Sequence, residues 1–194
     1  MSWSALRRIA PAPESALEAL APLQTLRDQI RIADDFDDAT LKRHRAAAFG
    51  HLSGPEGVIG IALAPETWRM TLPGFPTRLR IPLGPVQSVV SVSCRTPEGG
   101  VETLPPETWR AALDLDPAEL IGVWPQTQPA PDAVRVDFVA GFAPEDFPEA
   151  IRQAIHLLVG HWDRYREAGA QDAVKKIPHG VFDLIAPYRR GVVA

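Results

Sequence analysis

Hydrophobic residues follow two different periods along this chain, and the changes divide it into three parts. Between residues 23 and 59 they recur at helical spacing, and Leu41, Ala48 and Leu52 share one face of the segment DATLKRHRAAAFGHL. A shorter helix, LQTLRDQIRI, is predicted before it, and Gly54 with Pro55 ends the second helix. The first part therefore predicts two helices.

Between residues 60 and 142 the hydrophobic period falls to two. Short segments rich in β-branched residues alternate with turns that contain proline or glycine, which is typical of antiparallel strands. The clearest hairpin is RTPEGGVE, because Gly99 and Gly100 can adopt positive φ angles there. This part predicts an antiparallel sheet or a small β-sandwich.

The last part returns to helical spacing and predicts a central helix from about Pro148 to Glu167. Its core-facing stripe steps by four, three, four and three residues, through Ile151, Ile155, Leu158, Trp162 and Tyr165. A short helix over Gly180–Ile185 and a Pro-Tyr-Arg tail close the chain.

These patterns predict an α+β fold, in which a body of about four helices carries an inserted antiparallel sheet or small sandwich. Residues 1–22 are expected to be an N-terminal lead and residues 187–194 a C-terminal tail. The helical body is expected over residues 23–59 and 143–186, with the β subdomain over residues 60–142.

Composition narrows the possible functions. The net charge is −4 and the chain has no run of Lys or Arg, which argues against a surface that grips nucleic acid. Cys94 is the single cysteine, so a disulfide framework and a cysteine-based zinc site are excluded. No segment predicts a targeting sequence or a membrane span, and we expect no membrane partner.

The strand-turn-helix segment Val134–Ile155 has the outline of a phosphate-binding junction. Its turn, however, carries Glu145, Asp146 and Glu149, and carboxylates at a helix N-terminus cap the helix and repel a phosphate. The junction is predicted to be structural.

No residue pattern predicts catalysis, a metal or a cofactor. His156 and His161 are five residues apart and so do not share a helix face, as the two histidines of a zinc helix must. Two other classes stay open. A ligand- or carbohydrate-binding β module would need two or three of Trp68, Trp109 and Trp124 exposed on one face, and a small enzyme would need a spatial cluster such as His156, Asp163 and Cys94.

The order of several segments resembles the head-tail connector, or adaptor, proteins of long-tailed bacteriophages and of gene transfer agents. The segments are LRDQIRI, DDATLKRHRAAA, RIPLGPVQSVVSVS, VRVDFVAGF, FPEAIRQAIHLLVGHWDRYREAG and IPHGVFDLIAPYR. The resemblance runs from Leu23 to Arg190, and the last three segments are its most specific part. It departs from the family over Gly50–Pro65, where a longer polar helix is expected.

The resemblance implies a structural subunit of the particle neck, assembled in the bacterial cytoplasm. About twelve copies would form a ring between the portal protein and a tail-side connector, either a stopper or a tail terminator, and DNA would pass through the channel without specific binding. It also implies that the C-terminal end contacts the portal. The residues expected there are Leu184, Ile185, Pro187, Tyr188, Arg189 and Arg190.

Overall fold

The computed structural model of this chain describes residues 5–30, 38–165 and 179–190. Its internal contacts divide the chain into two compact units. The sheet unit combines Met1–Ala12 with Pro65–Phe142, and the helical unit combines Pro13–Ala64 with Ala143–Ala194. Helices and antiparallel strands together make this an α+β protein.

The sheet unit contains all the strands among the described residues. In chain order they are β1 (Ala5–Ala10), β2 (Glu66–Leu72), β3 (Leu79–Arg80), β4 (Val86–Arg95), β5 (Val101–Thr103), β6 (Trp109–Ala112), β7 (Glu119–Gly122) and β8 (Val134–Ala140). They form a five-stranded sheet in the order β1-β2-β8-β4-β5 and a three-stranded sheet in the order β3-β7-β6. Every neighbouring pair is antiparallel.

Buried and partly exposed residues alternate along the central strands, and the buried ones form the core on one face of the five-stranded sheet. In β2 and β8 every second residue is buried, so that Trp68 and Met70 lie on the same face as their partners Phe138 and Val136. Cys94 of β4 faces the same way and is buried, and this burial raises the pKa of its thiol. Cys94 is therefore a small core residue.

The opposite face of this sheet carries ion pairs. Arg69 of β2 donates two hydrogen bonds of 2.7 Å to Asp137, its cross-strand neighbour on β8. Arg95 donates two more to Asp132, which also accepts one from Arg135. Hydrogen bonds from Arg95 and then from Arg135 hold the pKa of Asp132 well below its usual range. The predicted hairpin is present as β4–β5, with Gly99 at a φ of 91° in its turn.

The helical unit contains the five α-helices of the described chain. They are α1 (Glu14–Leu20), α2 (Leu23–Ile30), α3 (Asp38–Leu52), α4 (Glu149–Tyr165) and α5 (His179–Ile185). The longest, α4, contacts α2, α3 and α5. Among the helices that the structure describes, none combines the length and the hydrophobicity needed to cross a lipid bilayer.

The predicted stripe of α4 is buried along its first three members. Ile151, Ile155 and Leu158 are fully buried. Trp162 is predicted to be buried with them but is partly exposed, because it lies in the last turn of the helix. Its ring and that of His44 on α3 form an edge-to-face pair, with centroids 6.3 Å apart. The side chain of Tyr165 lies outside the part of the chain that is described.

A buried arginine joins α1 to α3. Arg45 has no exposed surface, and its guanidinium pairs with Glu14 and Glu18 and donates a 2.8 Å hydrogen bond to the carbonyl oxygen of Ala21. Burial acts to raise the pKa of Glu18, but hydrogen bonds from Arg45 and from the backbone N–H of Leu23 outweigh it and lower the pKa. The charge of Arg45 is thus satisfied within the unit.

The segment predicted to be an N-terminal lead contains a strand and a helix among its described residues. Ala5–Ala10 is strand β1 and Glu14–Leu20 is helix α1, and they belong to different units. The sequence does not reveal β1 because five of its six residues are exposed, so that no alternation marks it. It is a strand because it pairs with β2 at the edge of the sheet.

Candidate functional site at the C-terminal segment

Helix α5 and the residues that follow it form the predicted docking segment. Val181 and Ile185 are fully buried, one helical turn apart, and they attach α5 to the helical unit. A short 3-10 turn, Ala186–Tyr188, follows directly and contains Pro187. Proline lacks the N–H that a continuing helix needs, so the α-helix stops and the chain becomes extended at Arg189.

The extended end is bound to the loop that follows α3. The backbone N–H of Arg190 donates a 2.9 Å hydrogen bond to the carbonyl oxygen of Ile59. The Nε of Arg189 donates another, of 3.2 Å, to the carbonyl oxygen of Val58. Gly60 has a φ of 78°, and a Cβ built on it would lie 3.2 Å from the carbonyl oxygen of Arg190. A glycine is therefore needed where the two backbones approach each other.

The six predicted docking residues differ in burial. Ile185 is fully buried and unavailable to a partner. Pro187 and Arg189 are exposed, whereas Leu184, Tyr188 and Arg190 are partly buried. Burial lowers the pKa of the Arg190 guanidinium from its ordinary value, so this cation has lost part of its hydration.

Phe182 is a further exposed residue of this segment, and the sequence pattern did not single it out. Its side chain is 39% exposed, which is unusual for phenylalanine, and it follows the buried Val181 by one position. We name the exposed residues Phe182, Pro187 and Arg189, with the partly exposed Tyr188, the C-terminal patch.

The candidate catalytic and metal residues belong to different units. His156 is buried on α4, its Nε2 lies 3.4 Å from the Oγ1 of Thr25, and burial is the main cause that lowers its pKa. Cys94 lies in a strand of the sheet unit. Across the described ranges, no three His, Cys, Asp or Glu side chains are grouped closely enough to hold a metal ion.

The tryptophans do not form a binding platform. Trp68 is 7% exposed and belongs to the core. Trp124 is partly buried and stacks flat on Phe75, with ring centroids 4.6 Å apart. Trp109 is also partly buried, beside Gly122. A sugar- or base-binding surface would need these rings exposed, whereas Trp68 is buried and Trp124 is stacked on Phe75.

The acidic junction before α4 is arranged as a helix start. A 3-10 turn, Pro144–Asp146, precedes the helix, and Glu149 lies in its first turn. Glu149 also accepts a hydrogen bond from Arg152, three residues later. The negative charge compensates the helix N-terminus and disfavours an anionic ligand there.

Comparisons with known proteins extend this description. No protein-family model matches the chain, and no curated protein sequence matches it. Solved structures do. A chain from the neck of an empty GTA particle, computed with C6 symmetry, superposes with a TM-score of 0.73 at 24% identity, covering 98% of this chain and 97% of the other.

Two further structures agree with the first. A chain from the virion of a native gene transfer agent (GTA) particle has a TM-score of 0.71 at 24% identity, and 97% of each chain is covered. A chain from the neck of a native GTA particle, computed with C12 symmetry, has a TM-score of 0.66 at 25% identity, covering 98% of this chain and 97% of the other. This protein therefore shares, over almost its whole length, the fold of components of gene transfer agent particles, including their neck.

Proposed function

We propose that this protein is a structural subunit of the neck of a phage or phage-like particle, and that it acts as the head-tail connector, or adaptor. The observation that carries the proposal is the fold likeness to neck chains over 98% of this chain and 97% of theirs. A likeness that spans both chains end to end favours a shared structural role over a shared module.

We further propose that about twelve copies form a ring. The similar neck structures were computed with C6 and C12 symmetry, which suits a subunit repeated around an axis. In this arrangement the helical unit, Pro13–Ala64 with Ala143–Ala194, supplies the body of each subunit, and the sheet unit, Met1–Ala12 with Pro65–Phe142, supplies the β part. The assembly would take place in the bacterial cytoplasm, before the particle is released.

The C-terminal patch supplies the contact with the portal protein. It contains Tyr188 and Arg189 together with an exposed phenylalanine, and tyrosine and arginine are enriched where interfaces concentrate their binding energy. Hydrogen bonds to Val58 and Ile59 already hold the segment in place, so little conformational entropy is lost on docking. The opposite side of the ring would meet a tail-side connector, a stopper or a tail terminator.

The charge of the protein suits a conduit for DNA. A channel rich in clustered cations would retain DNA through many phosphate contacts, whereas this chain has a net charge of −4. The arginines on the outer face of the five-stranded sheet, at positions 69, 95 and 135, are paired with Asp132 and Asp137. We therefore expect DNA to pass without specific binding, and no catalysis.

Removal of the gene from the producing strain tests the proposal. We expect capsids that package DNA but lack tails, and expression of the wild-type chain from a plasmid should restore tailed particles. Normal tailed particles without the protein would refute the role. Electron microscopy of the particles provides the measurement.

A further inference from the structure

The five-stranded sheet has two open edges, and their residues differ in charge. Among the described strands, β1 ends the sheet on one side and pairs only with β2. On the other side, β5 covers only Ser93–Arg95 of β4, so that Gln87–Ser91 form part of the edge. Open strand edges are surfaces that another chain can occupy.

The β1 edge is basic. Its sequence, ALRRIA, has two arginines and no acid. Arg8 pairs with Glu66 at 2.8 Å, but Arg7 is exposed and forms no ion pair with any described residue. The adjacent Ile9 is 39% exposed. This edge therefore presents an unpaired cation beside an aliphatic side chain.

The opposite edge is acidic. Glu98, Glu102 and Glu107 lie in or just after the β4–β5 hairpin, and all three are exposed. None of them forms a salt bridge within the described part of the chain. Two aliphatic residues accompany them, Val101 at 57% exposure and Val90 at 60%. Charge and hydrophobicity at this edge complement those at β1.

We propose that neighbouring copies of this chain contact each other through these two edges, β1 of one copy against the β4–β5 edge of the next. The proposal rests on the ring of the proposed function and names the surface that builds it. Strands β1 and β5 run in the same direction in the sheet, so that Ile9 over Val101 would place Arg7 beside Glu98 of the next subunit, in the β4–β5 turn.

A second copy suits this surface because the two complementary patches lie on opposite edges of one sheet. In such a heterologous contact, the first and the last copy of a growing chain of subunits each keep one edge unoccupied. Further copies can therefore add until the ring closes. A twofold contact between two β1 edges would instead place arginine against arginine. The charge pattern thus favours a ring over a symmetric dimer.

Irregularities at both edges limit how the copies can meet. The pairing register shifts between Arg8 and Ala10 in β1, and at Gln87 and Val90 in β4. Bulges of this kind interrupt a backbone ladder and protect edges from uncontrolled aggregation. The contact is therefore made mainly by side chains, and a charge change should disrupt it.

Charge reversal in the full-length chain tests the contact. Arg7→Glu would place like charges at the contact, and so would Glu98→Arg. Each should weaken association between copies by about 10-fold or more. The double variant Arg7→Glu/Glu98→Arg restores opposite charges and should recover most of the assembly. Arg110→Glu, at an exposed position in β6, makes the same change of net charge elsewhere and is the matched control.

Native mass spectrometry and sedimentation measure the assembly of the chain, alone and co-expressed with the portal protein of the same particle. Circular dichroism and the unfolding midpoint verify that each variant is folded. Rings from the wild type and from both single variants alike would overturn this contact and leave the proposed function intact. A wild-type chain that stays monomeric in both conditions would refute the ring, and this contact with it.

Discussion

The backbone N–H of Arg190 lies 2.9 Å from the carbonyl oxygen of Ile59, 131 residues earlier in the sequence, and donates a hydrogen bond to it. The bond ties the end of the described chain to the loop after α3. As a result the C-terminal patch is held against its own unit, and its outer side chains are presented in a defined position.

The close approach at Gly60 predicts a glycine-specific effect. Gly60→Ala should reduce the free energy of unfolding by about 1–2 kcal/mol, because alanine strongly disfavours a positive φ. The added methyl group would also press on the carbonyl oxygen of Arg190. Gly50→Ala is the matched control. Gly50 lies inside α3, a Cβ there has no neighbour within 4 Å, and alanine should add about 0.5–1 kcal/mol of stability. Urea unfolding of both variants provides the comparison.

Docking through the C-terminal patch predicts a defect in assembly without a defect in folding. Phe182→Ser changes an exposed side chain, so its unfolding midpoint should stay close to that of the wild type, whereas Arg189→Glu also removes the hydrogen bond to Val58 and its midpoint should fall slightly. Each should weaken binding to the purified portal protein by about 10-fold or more. Asp183→Ala, an exposed change on the same helix, is the control. Wild-type affinity in both patch variants would exclude this surface.

Deletion from Pro187 onward is a more severe version of the same experiment. We expect a soluble subunit and DNA-filled heads without tails. Because the deletion also removes the hydrogen bonds to Val58 and Ile59, the unfolding midpoint should fall slightly. Tailed particles from this variant would show that the portal contact lies on another surface.

Helix α4 has buried and exposed positions, and substitutions at the two kinds of position should change the free energy of unfolding by different amounts. Leu158→Ala removes a fully buried side chain and should cost about 2–5 kcal/mol of unfolding free energy. Arg164→Ala changes an exposed residue and should stay within about 0.5 kcal/mol. Trp162→Ala should fall between them, since Trp162 is partly exposed. Chemical denaturation measures all three, and equal midpoints for Leu158→Ala and the wild type would contradict this packing.

The buried histidine predicts a pH dependence of stability. Burial lowers the pKa of His156, Glu149 acts in the opposite direction, and Arg152 lowers it further. The unfolded chain therefore binds a proton more readily than the folded protein does. The stability associated with His156 should be fully present above about pH 6.5 and should be lost as the pH falls below that value.

His156→Gln isolates this contribution. Unfolding midpoints at pH 7.5 and pH 5.5 should differ less in the variant than in the wild type, because glutamine does not titrate. His51→Gln provides the control for removing a histidine from a helix. An identical pH response in the wild type and His156→Gln would show that protonation of His156 does not affect folding.

Much of the local structure follows from short-range patterns. The stripe from Ile151 to Leu158 predicted α4 because helical spacing places these residues on one face, and the structure buries that face. The pair Gly99 and Gly100 predicted the β4–β5 turn for an equally local reason, the freedom of glycine to adopt positive φ. Strand β1 had no such signal, because an exposed edge strand is defined by its partner.

The candidate surfaces were accessible from the sequence only in part. The composition of the C-terminal segment drew attention to Pro187 and Arg189, which are exposed, but it equally included Ile185, which is buried. Separating them requires knowing which face of α5 packs on the unit. No sequence pattern revealed the acidic and basic edges of the sheet. Arg7 and the glutamates of the β4–β5 hairpin lie at opposite edges only because the strand order is β1-β2-β8-β4-β5.

By itself, the sequence determined the class and position of most elements, the acidic balance and the sites of the tight turns. These depend on residues a few positions apart, where helical and strand periods are read directly. Only the tertiary structure decided the strand order, the two open edges and the attachment of Arg190 to Ile59. Such features join residues far apart in the chain, and they are selected by the burial and hydrogen bonding of the whole unit, which no local pattern encodes.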